Sequence, residues 1–195
     1  MLLDGPAPAP DGLWLLEGVP LSGKTTRLRA WRAGSAHPVL WSAEDLASQR
    51  LFEPLEERHH PGAVAPWLEG MLAAWEALAA ARAAAPWDGR LPAFAAHQER
   101  FHLSAALDGG LARGDLERIE ARLLALGARG LLCLVEPGEL ARRLDRSLGE
   151  RPPAWSRWLA RRFGGVEGAL ARFLEQQDRF REQAGKSRLS WYTCR

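Results

Sequence analysis

Lysine is almost missing from this chain, although basic residues are common in it. Only Lys24 and Lys186 account for the lysines among 26 Lys and Arg residues, so a single arginine says little about function whereas a lysine needs a reason. Excess charge is also small: the formal net charge is +2, too low to indicate a nucleic-acid or membrane-surface binder. Nucleic acid is therefore not an expected partner.

Cysteines and long hydrophobic runs are scarce as well. Cys133 and Cys194 lie far apart in the sequence and fit no metal or redox spacing, which favours a reduced intracellular protein. No apolar run is long enough to cross a bilayer, and the first residues lack the pattern of a signal peptide. We therefore expect a cytoplasmic protein without a membrane partner.

Short apolar runs alternate with helical stretches along most of the chain. Residues 1–12 are rich in Pro, Gly and Asp and are predicted to form a flexible N-terminal tail. The strand candidates are 13–17, 37–42, 89–100, 131–135 and a final "RLSWYT". Helices are expected at 24–33, about 45–58, 66–85, "GDLERIEARLLALGARG", "PGELARRLDRSL" and "VEGALARFLEQQDRFREQAG". This alternation predicts a single α/β domain over 13–195, with a parallel sheet of about five strands flanked by helices.

The segment "GVPLSGKT" matches the pattern Gly, four residues, Gly-Lys-Thr, between a buried strand and the start of a helix. Such a loop directs backbone amides and the positive end of a helix at phosphates. Lys24, expected at the surface of the loop, supplies charge for the β- and γ-phosphates, and the Thr25 hydroxyl is placed to ligate Mg²⁺. We therefore predict binding of ATP and Mg²⁺, with the phosphates held by Gly18, Leu21, Ser22, Gly23, Lys24, Thr25 and Thr26.

Three motifs in order, from residue 13 to about 150, resemble those of the thymidylate kinase and deoxynucleoside kinase superfamily. "LLEGVPLSGKTT" is similar to the start of those kinases, and "ERFHLS" at 99–104 resembles their Asp/Glu-Arg-aromatic motif. "LLCLVEPGELARRLDRS" is similar to their fourth strand and the following helix, which bears two arginines. The family's Arg-Glu-Pro-Gly-Gly motif is replaced by "WSAEDL", and "AALDGG" follows the Arg-aromatic motif.

The resemblance implies a three-layer P-loop NTPase fold with a lid, and it implies roles for individual residues. Glu99 would help to hold the Mg²⁺ shell, and Arg100 would touch the transferred or acceptor phosphate. Arg142, Arg146 and Arg151 would border a lid over 147–165, with Arg146 also among the catalytic residues. The resemblance leaves a homodimer open, because related kinases commonly pair through helices.

Several of these residues have a second interpretation. Glu44 is the best positional candidate for a base beside an acceptor hydroxyl, with Asp45 behind it, but it equally suits the N-terminus of a helix. Glu99 and Arg100 could be an ordinary exposed pair. The stripe of Trp67, Met71 and Trp75 could floor an acceptor pocket or belong to the core.

The function that these features favour is an ATP-dependent phosphotransferase. It would move the γ-phosphoryl group to a nucleoside, a nucleotide or a related hydroxyl compound. One alternative is a P-loop kinase for a non-nucleotide acceptor, such as a sugar acid or an antibiotic. Another is a nucleotide-binding switch module without transfer activity.

Overall fold

One parallel sheet with helices on both faces organises the chain. The computed structural model describes residues 2–4, 12–34, 40–42, 61–84, 95–107 and 111–194. Its strands are β1 (Leu2–Asp4), β2 (Gly12–Glu17), β3 (Leu40–Ser42), β4 (Ala95–Glu99), β5 (Arg129–Cys133) and β6 (Ser190–Cys194). All pairings are parallel, in the order β1-β6-β5-β2-β4-β3. The predicted α/β class with a parallel sheet is confirmed.

Seven helices lie in the described part of the chain. They are α1 (Lys24–Gly34), α2 (Pro61–Ala84), α3 (His102–Leu107), α4 (Arg113–Ala125), α5 (Pro137–Glu150), α6 (Pro153–Phe163) and α7 (Val166–Lys186). The helix predicted at about 45–58 lies outside the described residues. None of these seven helices combines the length and the apolar character needed to cross a membrane.

Strand β2 is central, and its side chains divide the core into two layers. Leu13 and Leu15 join the larger hydrophobic cluster, which also takes residues from α2 to α7. Trp14 and Leu16 point to the other face, where they pack with Leu28 and other residues of α1. Because both faces of β2 are covered, its near-continuous apolar sequence is the one that a doubly buried parallel strand requires.

The sheet has six strands rather than about five, because part of the predicted tail pairs with it. Leu2–Asp4 forms β1, which lies beside β6 with Leu2 opposite Trp191. The strand at the edge of a sheet has backbone donors and acceptors that no other strand uses. A short extended segment can therefore hydrogen-bond to that edge whatever its composition. Composition alone therefore gave the wrong expectation for these three residues.

The register of β5 and β6 depends on a glycine. Gly130 and Trp191 are direct partners across the two strands. A Cβ atom at Gly130 would lie 2.2–2.5 Å from three atoms of the Trp191 ring, which is fully buried. The indole therefore packs directly on the backbone of β5, where only glycine leaves room.

Two buried polar contacts fasten helices to the ends of strands. The Gln177 side chain of α7 accepts from Val135 N at 2.8 Å and donates to Val135 O at 3.0 Å, just after β5. His102 Nε2 lies 3.5 Å from Glu120 Oε1, and Arg188 N donates to the other oxygen of Glu120 at 3.2 Å. Burial raises the pKa of Glu120, but the interactions of its carboxylate with His102, Ser187 and the Arg188 backbone outweigh burial, and the net shift is downward.

The segment predicted as a lid, 147–165, contains the end of α5 and the whole of α6. Arg151 and Pro152 separate the helices, and Pro153 occupies the start of α6, where its missing N–H costs least. Helix α6 ends at Gly164, whose φ of 73° suits a left-handed cap. The segment is therefore two helices, and its movement as a lid stays a prediction.

Candidate functional site

The predicted phosphate loop connects the carboxyl end of β2 to the first turn of α1. Gly18 has a φ of 141°, and a Cβ atom there would lie 2.5 Å from the carbonyl oxygen of Cys133 on the neighbouring strand. Leu21 has a φ of 64°, an uncommon value for a residue with a branched side chain. A chain that turns this tightly needs glycine at Gly18 and tolerates local strain at Leu21.

Helix α1 directs its N-terminus at the loop. Its first hydrogen bond runs from Arg27 N to Gly23 O at 2.9 Å, so the amides of the opening turn face out of the helix toward the loop. Such a turn carries partial positive charge and favours an anion. Thr26 is exposed in this turn, whereas Ser22 is buried in the loop.

Lys24 is folded back into the loop rather than standing at its surface. Its side chain is 3% exposed, and Nζ donates to Gly18 O at 2.9 Å, Val19 O at 2.8 Å and Ser22 Oγ at 3.4 Å. The expectation of a surface position was wrong, because a buried ammonium needs acceptors and the loop carbonyls supply them. The charge nevertheless lies inside the curve of the predicted phosphate loop.

The two residues predicted to hold Mg²⁺ are brought together across the sheet edge. Thr25 Oγ1 lies 2.9 Å from each carboxylate oxygen of Glu99, at the carboxyl end of β4. Glu99 is 1% exposed, so its carboxylate is not part of an ordinary exposed pair. The arrangement places a hydroxyl and a carboxylate, both oxygen ligands, at the start of α1.

Arg100 follows Glu99 directly and leaves the strand in an unusual conformation. Its φ is 52°, in the left-handed region, and its backbone N–H donates to Leu16 O at 3.0 Å. The side chain is partly buried. Because the backbone at Arg100 hydrogen-bonds to the end of β2, it holds Arg100 at the same sheet edge as the predicted phosphate loop.

Glu17 is the residue that the motif analysis overlooked. Its fully buried carboxylate accepts from the backbone N–H groups of Phe101, Leu103 and Ser104 at 2.9, 3.1 and 3.4 Å, and from the Ser104 hydroxyl. It thereby joins the residue before Gly18 to the segment after Arg100. A charged residue ending an apolar strand was the available signal, since such a group needs partners.

Helix α5 contacts the loop through a different arginine from those predicted. Arg143 donates from NH1 to Leu21 O at 3.1 Å and from Nε to Glu139 at 2.8 Å. Arg142 and Arg146 are exposed, and Arg142 pairs with Glu139 on the surface. Their role in a lid stays a prediction, and so does that of Arg151, whose guanidinium lies over the Trp155 ring, 4.4 Å from its centroid.

The other residues predicted to form the acceptor site either belong to the hydrophobic core or lie outside the residues that the structure describes. Trp75 is 2% exposed, while Trp67 and Met71 pack against the same core cluster, so the stripe on α2 belongs to the core. Trp75 and Phe101 have ring centroids 5.1 Å apart, which places this stripe behind the Arg100 turn. Glu44 and Asp45 lie outside the described residues.

Two cysteines that seemed unrelated in sequence are neighbours beside the loop. Cys133 and Cys194 are register partners on β5 and β6, with their sulfur atoms 3.2 Å apart. A hydrogen bond to Cys194, reinforced by burial, raises the pKa of the Cys133 thiol. The same hydrogen bond, helped by the charge of Arg27, lowers the pKa of Cys194 to about 7 against the effect of burial. Their separation of 61 positions in the sequence gave no indication of this contact.

Metal-binding side chains are sparse in the described segments: no group of three or more His, Cys, Asp and Glu residues there could hold an ion. A divalent cation at Thr25 and Glu99 would therefore need further ligands from water or phosphate. That is how Mg²⁺ is usually bound at nucleotide sites.

Comparison with solved structures shows that this fold is shared. The YorR protein from Bacillus subtilis, in complex with phosphorylated GDP, is 16% identical, with a TM-score of 0.51 over 93% of this chain and 84% of that one. A gluconokinase from Sinorhizobium meliloti is 18% identical, with a TM-score of 0.49 over 95% and 84%. A deoxyadenosine kinase from M. mycoides is 11% identical, with a TM-score of 0.45 over 93% and 89%.

No family model matches the chain, and no curated protein matches it either. The likeness therefore concerns the fold alone, which this chain shares with the YorR protein.

Proposed function

We propose that this protein is an ATP-dependent small-molecule kinase that uses Mg²⁺. The observation that carries the proposal is the contact between Thr25 and Glu99, with Lys24 held in the adjoining loop. A loop that only turned the chain would not require a buried ammonium and a buried carboxylate at the same sheet edge. Ligands of parallel α/β sheets bind at this edge, outside the carboxyl ends of the strands.

The residues present fit a nucleotide with its metal ion. The glycine at Gly18 keeps the loop close to β5, and the first turn of α1 offers amides to phosphate oxygens. Thr25 and Glu99 are oxygen donors, which Mg²⁺ prefers. When bound, Mg²⁺ neutralises negative charge on the β- and γ-phosphates.

Three basic side chains of this chain have distinct tasks in the proposed reaction. Lys24 exchanges its carbonyl partners for phosphate oxygens, because phosphate is the stronger acceptor. Arg100 contacts the phosphoryl group in transfer with its planar guanidinium. Arg143 holds the loop through the Leu21 carbonyl and adds positive charge beside Gly23, where a Cβ atom would lie 3.6 Å from its NH1.

The acceptor is proposed to be a nucleoside, a nucleotide or a related hydroxyl compound. YorR, which has the same fold, binds phosphorylated GDP. Glu44 remains the proposed base for the acceptor hydroxyl, on its position in the sequence. Two functions compete with this proposal. One is a kinase for a non-nucleotide acceptor, such as a sugar acid or an antibiotic, and the other is a nucleotide-binding switch module without transfer activity.

The two lysines of the chain provide a matched test. Lys24→Met removes the charge inside the loop, while Lys186→Met removes one that is 64% exposed and paired with Glu182. Isothermal titration with ATP and Mg²⁺ should show at least about tenfold weaker binding for Lys24→Met, about 1.4 kcal/mol, and no change for Lys186→Met. Equal affinity in both variants, each folded by circular dichroism, would remove the phosphate loop assignment.

A panel of acceptors then separates the functions. Nucleosides and nucleoside monophosphates should stimulate ATP consumption by the parent protein. Stimulation by sugar acids or aminoglycosides alone would favour a non-nucleotide kinase. Tight ATP binding without transfer to any acceptor would favour the switch module.

A further inference from the structure

Cys133 and Cys194 have the geometry of a disulfide pair. They are direct partners on adjacent parallel strands, with sulfur atoms 3.2 Å apart and no bond between them. Neighbouring strands lie about 4.8 Å apart, which is within the Cα separation that a disulfide spans. A bond between the sulfurs therefore needs only a side-chain adjustment, with no rearrangement of the sheet.

The two thiols differ in access. Cys133 is buried in the core between the sheet and α1, with Trp14, Leu16, Leu28, Trp31 and Leu131. Cys194 is only partly buried, at the carboxyl end of β6. A reagent in solution therefore meets Cys194 first, because Cys133 is buried.

The surroundings of Cys194 also favour its thiolate. Cys133 is within hydrogen-bonding distance of its sulfur, and the positive charge of Arg27 on α1 acts on the same sulfur. Thiolates, not thiols, attack disulfides, and the most effective attacking thiol has a pKa near the ambient pH.

We propose that Cys194 and Cys133 form a redox modification site, in which the Cys194 thiolate attacks a low-molecular-weight disulfide such as oxidised glutathione and Cys133 resolves the mixed disulfide that results. This site is independent of the proposed kinase reaction. It adds a second chemistry at the sheet edge, because the Cys133 carbonyl borders Gly18 of the phosphate loop.

The exchange balances without a further oxidant. The Cys194 thiolate attacks one sulfur of oxidised glutathione, forms a mixed disulfide and releases one glutathione thiolate. Cys133 then loses its proton to solvent, and its thiolate attacks the Cys194 sulfur of that mixed disulfide. The protein disulfide forms, a second glutathione leaves, and the two electrons lost by the protein are those gained by oxidised glutathione.

Intact-protein mass spectrometry in buffers of oxidised glutathione tests this assignment. The parent should lose the mass of two hydrogen atoms, and dithiothreitol should restore it. Cys133→Ala should instead accumulate one glutathione on Cys194, because no resolving thiol remains. Cys194→Ala should gain neither modification, since its remaining thiol is buried.

Stability gives an independent readout. The oxidised parent should unfold at a higher temperature than the reduced parent, because the bond joins residues 61 positions apart and restricts the unfolded chain. Each variant is first confirmed to be folded by circular dichroism. Disulfide-linked dimers, a stable glutathione adduct on the parent, an unreacted parent, or glutathione on Cys133 in Cys194→Ala would each overturn the proposal.

Discussion

The hydroxyl of Thr25 lies equally close to both carboxylate oxygens of Glu99, at 2.9 Å from each. Thr25 lies in the first turn of helix α1 and Glu99 ends strand β4, and the two are 74 positions apart in the sequence. A hydroxyl hydrogen shared between two charged oxygens leaves the oxygen of Thr25 available as a metal ligand. The pair therefore joins the helix that follows the predicted phosphate loop to the end of the strand that Arg100 follows.

Replacing Glu99 by glutamine should weaken the response to Mg²⁺ specifically. The amide keeps the size of the side chain but loses the charge that attracts a divalent cation. Titration calorimetry gives the factor by which Mg²⁺ increases the affinity for ATP. This factor should be at least about tenfold smaller in Glu99→Gln than in the parent, a difference of about 1.4 kcal/mol. Affinity in EDTA should stay nearly equal, and Glu117→Gln, an exposed carboxylate on α4, should behave as the parent. An unchanged Mg²⁺ effect would exclude Glu99 from the metal site.

Arg100 distinguishes a kinase from a nucleotide binder. A binder needs the loop and the metal, whereas transfer requires charge neutralisation on the moving phosphoryl group. Arg100→Lys keeps the charge and loses the planar fork, so transfer to the acceptor found in the panel should fall at least about tenfold, with ATP affinity nearly unchanged. Arg113→Lys, whose side chain is 91% exposed, is the control. Transfer at the parent's rate would remove Arg100 from the mechanism.

Glu17 should stabilise the segment that follows Arg100. Its carboxylate accepts hydrogen bonds from three backbone N–H groups and from the Ser104 hydroxyl. A glutamine would replace one accepting oxygen by an NH₂ group, which would face these donors without an acceptor. Denaturant unfolding should show a loss of about 1–3 kcal/mol for Glu17→Gln. Ser104→Ala removes one donor and should cost less, about 1 kcal/mol. If the two losses were reversed in size, Glu17 would not be the centre of this network.

Alkylation of Cys194 should depend on pH in a way that Cys133 controls. The rate follows the thiolate, so in the parent it should rise through about pH 7, the pKa to which Cys194 is lowered. Cys133→Ala removes the hydrogen bond that is the largest cause of this lowering, so the midpoint should move upward. Peptide mapping after timed exposure to iodoacetamide gives both curves. Identical midpoints would mean that Cys133 does not act on Cys194.

The sequence could predict two kinds of feature: those formed within one short stretch of chain, and those that follow from the parallel arrangement of the strands. The apolar run before Gly18, the spacing of Lys24 and the start of α1 lie within one stretch of chain. The meeting of Thr25 and Glu99 follows from a general property of parallel sheets, whose strand ends share one edge. Such features need no knowledge of how distant elements are rotated or aligned.

Two features of the site were not predicted from the sequence. Arg143 contacts the loop because it lies three residues after Leu140 and four before Ser147, both buried, so all three share a side of α5. The buried face of α5 thus indicates which of its arginines points toward the loop. The cysteine pair depends instead on how β6 aligns with β5, which no local pattern reveals.

That alignment is decided three residues before the two cysteines, by the indole of Trp191 lying on Gly130. If β6 moved two residues along β5 in either direction, the side chains would keep their faces, but the ring would meet Ala128 or Leu132 instead of bare backbone. Cys194 would then stand opposite Leu131 or Val135, and no thiol would face it. The absence of a side chain at Gly130 and the large indole of Trp191 thus allow only one register between the two strands. That register brings the two sulfurs together, so their chemistry depends on it.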